Sequence, residues 1–196
     1  MLSSRAMPAT TSHQKHRQEP LPERLLDVKA GKPLPQRLSG LPPAISRQCT
    51  LLVLGSFPSA ASLASGQYYA HPQNRFWPIM GACLGVDLAQ MPYAARIQAV
   101  NAAGIGIWDV YGSCERSGSL DSAIRNAAFN DFARACSAAP GLRHACFNGA
   151  AAAKAVRHLA ALGFITDCLP STSPANASQS FDFKLAQWRA ALAAAA

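Results

Sequence analysis

Residues 50–55, TLLVLG, form a short run that is apolar almost throughout, and the chain then breaks into Gly55-Ser56-Phe57-Pro58-Ser59. A run of this length without polar alternation is the pattern of a strand buried on both faces, as in the middle of a parallel sheet. Three more runs share it: GIGIWDV (104–110), RHACFN (143–148) and FITDCL (164–169). The stretches around them predict helices over about 75–84, 93–102, 130–138, 150–162 and 180–194. Strands alternating with helices need crossover connections. The expected fold is therefore α/β, a three-layer α/β/α sandwich around a short, mainly parallel four-stranded sheet.

The whole chain agrees with that reading. At 196 residues, 49% hydrophobic and 14% charged, it is long enough for one well-buried domain and too apolar to be disordered throughout. No apolar run approaches the ~18 to 20 residues of a membrane span, so no membrane partner is expected. The six cysteines, at 49, 83, 114, 136, 146 and 168, nowhere adopt CxxC spacing. They read as free thiols in a reducing, cytoplasmic setting, with no metal or iron–sulfur cluster. The formal net charge is +8, but residues 1–47 hold eight Lys or Arg against three acids, and the remainder ten against seven. That first segment also holds seven of the fourteen prolines. It reads as a basic, partly disordered leader (1–47) ahead of a folded domain (48–196), with one short helical turn near Glu23 to Val28. Its acid-free opening is that of an organellar presequence in composition only, because Pro8 and the lack of an amphipathic stripe oppose one, and no secretory core is present.

Ligands of open parallel sheets bind beyond the carboxyl ends of the strands, so the residues just after each run matter most. Here these are Gly55 to Ser59, Trp108-Asp109, Asn148-Gly149, and Pro170 to Asn176, with Tyr68 to Trp77 following the first strand. The small residues of GSFPS and PSTSPAN expose N–H groups and hydroxyls suited to phosphate oxygens. Phe57, Tyr68, Tyr69, Phe76, Trp77 and Trp108 supply flat faces, and Asn74 and Asn148 supply paired donor and acceptor edges. A base turned out of a nucleic-acid stack needs both kinds of contact. Taken singly, each has a structural reading: a turn at Gly55 or Asn148-Gly149, a cap at His71 or Asp109, aromatic core elsewhere. The functional reading rests on four strand ends carrying such groups on one rim.

At GSFPS (55–59), YYAHPQNRFW (68–77) and LPSTSPAN (169–176) the sequence resembles the uracil-DNA glycosylase superfamily, most closely its hypoxanthine-DNA glycosylase branch. The likeness runs from about Leu51 to Trp188 and leaves out the leader. It implies a DNA-repair enzyme that flips a deaminated base, hypoxanthine foremost, out of double- or single-stranded DNA and hydrolyses its N-glycosidic bond. The enzyme would act as a monomer without a cofactor. In the superfamily the loop after the first strand places catalytic water, and the loop after the last presses into the duplex. Many members carry Asp or Asn in the first loop, where this chain offers Ser56 and Phe57 and no carboxylate.

Water activation must then come from elsewhere. The HPQNRFW stretch resembles HPxNRFW of the mismatch-specific glycosylases, which makes Asn74 the first candidate to position water and Asp109 the second. On the same resemblance Phe57 stacks on the base, Tyr69 and Trp108 wall the pocket, Asn148 bonds a base edge, and His71 stabilises the leaving group. Ser56, Ser59, Ser171 and Ser173 grip phosphates. Thr172 and Arg75 also contact DNA, and Pro174 to Asn176 fill the gap in the duplex.

Three rivals remain. A Ser56 or Ser59, His71, Asp109 hydrolase triad lacks a GxSxG elbow and any defensible order. A non-catalytic single-strand binder would need its aromatics on an open groove. Uracil or G·U specificity within the superfamily cannot be separated from hypoxanthine by composition.

Overall fold

A computed structural model describes residues 37–195. The expected helical turn near Glu23 to Val28, most of the leader read as partly disordered and the presequence question lie outside those residues. The central sheet contains four parallel strands: β2 (Leu51–Gly55), β3 (Ile105–Asp109), β6 (His144–Asn148) and β7 (Ile165–Leu169). Their order across the sheet is β3-β2-β6-β7. Every residue of β2 and β3 is buried, which is why neither run needs polar alternation. Leu52 and Leu54 are wholly excluded from solvent, and such a side chain contributes roughly 1.5–3 kcal/mol.

Helices α2 (Phe76–Leu84), α3 (Tyr93–Ala102), α4 (Phe132–Ala138), α5 (Val156–Ala161) and α6 (Phe181–Ala194) fall where the sequence places them. Two details differ. The segment from 150 to 162 is broken into a 3-10 turn at Ala152–Ala155 followed by the short α5. An unforeseen helix α1 (Ala60–Ser65) starts at Ser59, whose hydroxyl accepts from the Ser62 N–H, and ends at Gly66 with φ of 66°. Its cap and its left-handed stop are both conventional signals in a segment short enough to read as loop.

A second sheet was also unforeseen. Strands β1 (Arg37–Ser39), β4 (Tyr111–Glu115) and β5 (Arg125–Phe129) pair antiparallel in the order β1-β4-β5. Ala44 makes an antiparallel bridge to Ile107 of β3. Residues 37–47, placed in the leader by their prolines and charge, therefore pair with the domain, and the folded unit begins before the expected boundary at 47/48.

The strand order creates a switch point. From β2 the chain moves outward to β3, then returns across β2 to reach β6 and β7. The carboxyl ends of β2, β3 and β6 (Gly55, Asp109 and Asn148) consequently share one rim, with Gly55 directly opposite Asp109 in the register. That rim is where a doubly wound sheet opens a crevice.

Candidate active site

The crevice is lined by Gly55 to Ser59 after β2, by Tyr68, Tyr69 and Asn74 from the long connection, and by Asp109 at the end of β3. Asn148 after β6 and Ser171, Thr172 and Ser173 after β7 close it from the other side. Most of the residues singled out in the sequence are thus brought together. Arg75, Pro174 and Asn176 line an adjoining groove that shares Asn74 and Ser173 with the crevice.

Two expected residues are elsewhere. Trp108 packs edge-on against Phe132, and its Nε1 donates to the Leu41 carbonyl, so it belongs to the core and walls no pocket. The reason is strand parity: neighbouring residues point to opposite faces, and Asp109 is the one that faces the crevice. His71 is not among the lining residues; its Nδ1 accepts from the Gln73 N–H, closing a turn before α2.

Asp109 is the most unusual group in the crevice. It is 4% exposed, and its Oδ2 has no hydrogen-bond partner. Burial, reinforced by the negative charge of Asp121 and opposed by Arg116, pushes its carboxyl up to about 8. The acid is therefore mostly protonated at neutral pH, a donor where the sequence alone would place an anion. Gly55 makes room for it: a Cβ there would lie 2.3 Å from Asp109 Oδ1 and 3.5 Å from the Tyr69 hydroxyl.

Tyr69 forms the adjacent wall, and its ring stacks on Phe76 at 3.7 Å between centroids. Its φ is 55°, a left-handed conformation that is strained for an aromatic residue. Surrounding bonds hold it there: the Tyr68 hydroxyl donates to the Leu41 and Pro42 carbonyls, and Trp77 Nε1 donates to the Tyr68 carbonyl. The Tyr69 hydroxyl is buried without a well-formed hydrogen bond, and burial first, then Asp109, pushes its pKa above the usual phenol range against a weaker opposing effect of the Asn148 side chain. Two buried and unpartnered polar atoms thus face one cavity, which suits a ligand bearing complementary polar atoms.

Phe57 is 6% exposed, with the Arg116 guanidinium 5.0 Å from its ring centre. Arg116 also donates to the Pro58 carbonyl, which fixes the GSFPS loop. Ser56 donates to the Asp121 carboxylate, and the Ser119 hydroxyl accepts from the Ala60 N–H. Asp121, Ser119 and Arg116 had no signal in the sequence, because the stretch from 115 to 124 is polar and aperiodic.

Asn148 differs from expectation. Its Oδ1 accepts from the Thr172 N–H and its Nδ2 donates to Thr172 Oγ1, both at 2.9 Å. It braces the loop after β7 before it can read a base. The Arg75 N–H donates to the Thr172 carbonyl at 3.0 Å, tying the same loop to the start of α2. Ser171 and Ser173 are likewise engaged, accepting from the N–H groups of Ser173 and Ala175. Asn74 Oδ1 accepts from the Phe76 N–H at 3.0 Å, leaving its Nδ2 donors for the crevice. No group of three His, Cys, Asp or Glu among the described residues is placed to hold a metal ion. No helix among them is long and apolar enough to cross a membrane.

A doubly wound sheet whose rim offers N–H groups and hydroxyls around a buried acid and an aromatic wall is suited to a nucleotide. Residues 42–195 match the uracil DNA glycosylase superfamily, and the chain belongs to it. Two relatives are each named hypoxanthine DNA glycosylase. That of Methanosarcina barkeri is 37% identical and that of Methanosarcina acetivorans 38%, over 70% of this chain and 87% of the relative in both cases. A solution NMR structure of a candidate uracil DNA glycosylase from Methanosarcina acetivorans superposes with a TM-score of 0.74 at 34% identity. It covers 82% of this chain and 99% of that one.

Proposed function

We propose that this protein is a monofunctional DNA glycosylase that removes hypoxanthine from deoxyinosine in DNA, leaving an abasic site. The observation that carries the reading is the buried Asp109, its Oδ2 unpartnered, in the superfamily's crevice that Phe57 and Tyr69 also line. The hypoxanthine-directed names of two relatives support the choice of base.

In this mechanism the flipped base stacks on Phe57 and packs against Tyr69. Asp109 donates its proton to an acceptor on the base as the C1′–N bond breaks, so that the bonding electron pair departs with a neutral leaving group. Asn74 Nδ2 holds a water that adds to C1′; the proton this water sheds goes to solvent, and Asp109 is reprotonated from there. The Asp121 carboxylate, which accepts from Ser56, favours the transient positive charge on the sugar. Water and substrate supply every atom, and one chain holds every residue invoked, so a cytoplasmic monomer without a cofactor suffices. The free cysteines suit that reducing compartment.

The test uses 5′-labelled duplexes containing deoxyinosine, deoxyuridine or neither, with alkaline cleavage of abasic sites. Strand breaks at deoxyinosine are expected. Breaks in none would remove the glycosylase assignment, and breaks at deoxyuridine alone would transfer the specificity to uracil.

Gly55 gives a sharper check of the geometry. Its Ala variant would place a methyl group against Asp109 Oδ1, a side-chain atom that can swing aside. The expected result is a folded protein whose excision rate drops tenfold or more, since misplacing a reacting group by about 1 Å costs on the order of 10²-fold. Wild-type activity in Gly55→Ala would show that Asp109 need not occupy this position.

A further inference from the structure

Lys184 lies on α6, outside the crevice, and is 2% exposed although it ends in an ionisable amine. Its Nζ donates to the Asn176 carbonyl at 2.6 Å. An ammonium group has three donors, and this is the one partner found among the described residues. Burial, then the neighbouring positive charge of Arg75, lowers its affinity for the proton. A buried cation so placed is costly, and an apolar side chain would pack there more favourably unless something negative completes the site.

The surroundings indicate what that is. Lys184 lines the groove of about 450 Å³ that continues from the crevice through Asn74 and Ser173, together with Arg75, Asn176 and Gln179. None of the described residues lining it is acidic. Arg75 is held at the rim by its N–H bond to the Thr172 carbonyl and by the Phe181 ring, 5.9 Å from its guanidinium carbon. Two cations, four amides (Gln73, Asn74, Asn176 and Gln179) and a hydroxyl thus line a cavity one step from the base pocket, a donor set suited to phosphate oxygens.

We propose that the Arg75–Lys184 groove is a subsite for one backbone phosphodiester of the lesion-bearing strand, next to the extruded nucleotide, with Lys184 as its buried anchor. This rests on the DNA glycosylase reading and deepens it. Lys184 is then both the latch of the 170–177 loop and the charge that senses DNA, so strand engagement and loop placement are coupled through one side chain.

The experiment is an affinity cycle. Binding is measured by fluorescence anisotropy, as a function of salt, with duplexes carrying a neutral methylphosphonate at each position flanking deoxyinosine in turn. Wild type, Lys184→Met, Lys184→Gln and Lys184→Arg are compared, with Arg143→Ala, at the opposite end of the sheet, as control. Lys184→Met and Lys184→Gln are expected to flatten the logarithmic salt slope by about one, while Lys184→Arg and the control keep it. One methylphosphonate position should weaken the wild type about tenfold and leave Lys184→Met unaffected, the sign of a shared contact. If every methylphosphonate weakens wild type and variants equally, the subsite is refuted. If Lys184→Gln, which keeps a donor for Asn176, binds with the wild-type slope, Lys184 is only a loop latch and the proposal fails. Should Lys184→Met not fold, the Gln and Arg variants decide it. Nicking assays on the same duplexes stand apart: loss of excision in wild type would refute the glycosylase reading, while the affinity cycle would still report the phosphate contact.

Discussion

Replacing Asp109 by Asn is expected to lower single-turnover excision of deoxyinosine by a factor of about 10² to 10⁴, the range typical of losing a general acid. Asn fills the same volume and still donates a hydrogen bond, so base binding should persist while proton transfer is lost. The wild-type rate should fall as pH rises through about 8, where Asp109 ionises, and the variant should be flat there. A wild-type rate that rises through that pH would make Asp109 a base instead.

The same substitution should stabilise the protein. Burial, the nearby Asp121 and the weaker opposing pull of Arg116 raise the carboxyl from 3.8 to about 8 in the folded state. The unfolded chain ionises near the ordinary value, so as pH climbs from about 4 to 8 it releases a proton that the folded chain retains. Folding stability is therefore lost over that window, by about 1.4 kcal/mol per pH unit at most. Asp109→Asn escapes that loss. Its melting temperature should exceed wild type by several degrees at pH 8, with the gap closing towards pH 4. A gap independent of pH would mean that the acid is not perturbed as described.

Asn74→Ala is expected to reduce excision by two decades or more, about 3 kcal/mol of transition-state stabilisation if one water-holding donor behaves like one oxyanion donor. Affinity for deoxyinosine DNA should change little. The residue also accepts from the Phe76 N–H at the start of α2, so a loss of about 1 kcal/mol in stability should accompany the change. Asn74→Asp separates the two effects, because it keeps the acceptor for Phe76 and removes the amide donors. Wild-type melting with an excision rate as poor as that of Asn74→Ala would place the defect in the water; activity within a few-fold of wild type in either variant would remove Asn74 from this role.

The central sheet could be read from the chain because β2, β3 and the middle of β6 are buried on both faces and need no alternation; FITDCL is not buried in this way, since β7 lies at the sheet edge with Ile165 and Cys168 exposed. The antiparallel sheet could not. Arg125–Phe129 is exposed throughout and Tyr111–Glu115 is mostly half-buried, so neither stretch carries an apolar face. In the crevice, Asp109 and Asn74 were legible as polar residues at strand ends or in a motif. Trp108 was misplaced by a single residue of strand parity. Lys184 was hidden for a different reason: with Trp188 one turn further on, it stands on the buried face of α6, where a lysine interrupts the expected pattern. Reading such an interruption as a signal would have found it.

Tyr69 bears on how such a pocket can diverge. Its left-handed backbone carries a torsional cost of about 1–3 kcal/mol that glycine would escape, whereas its ring supplies the wall and the stack on Phe76. Two selective pressures on one codon thus oppose each other. A lineage drifting towards bulkier bases can open the wall at position 69 and recover part of the lost packing as backbone relief. Truncating Phe76, which stands inside a helix and does not line the crevice, offers no such relief. At position 69, accordingly, loss of the aromatic wall is partly offset by backbone relief.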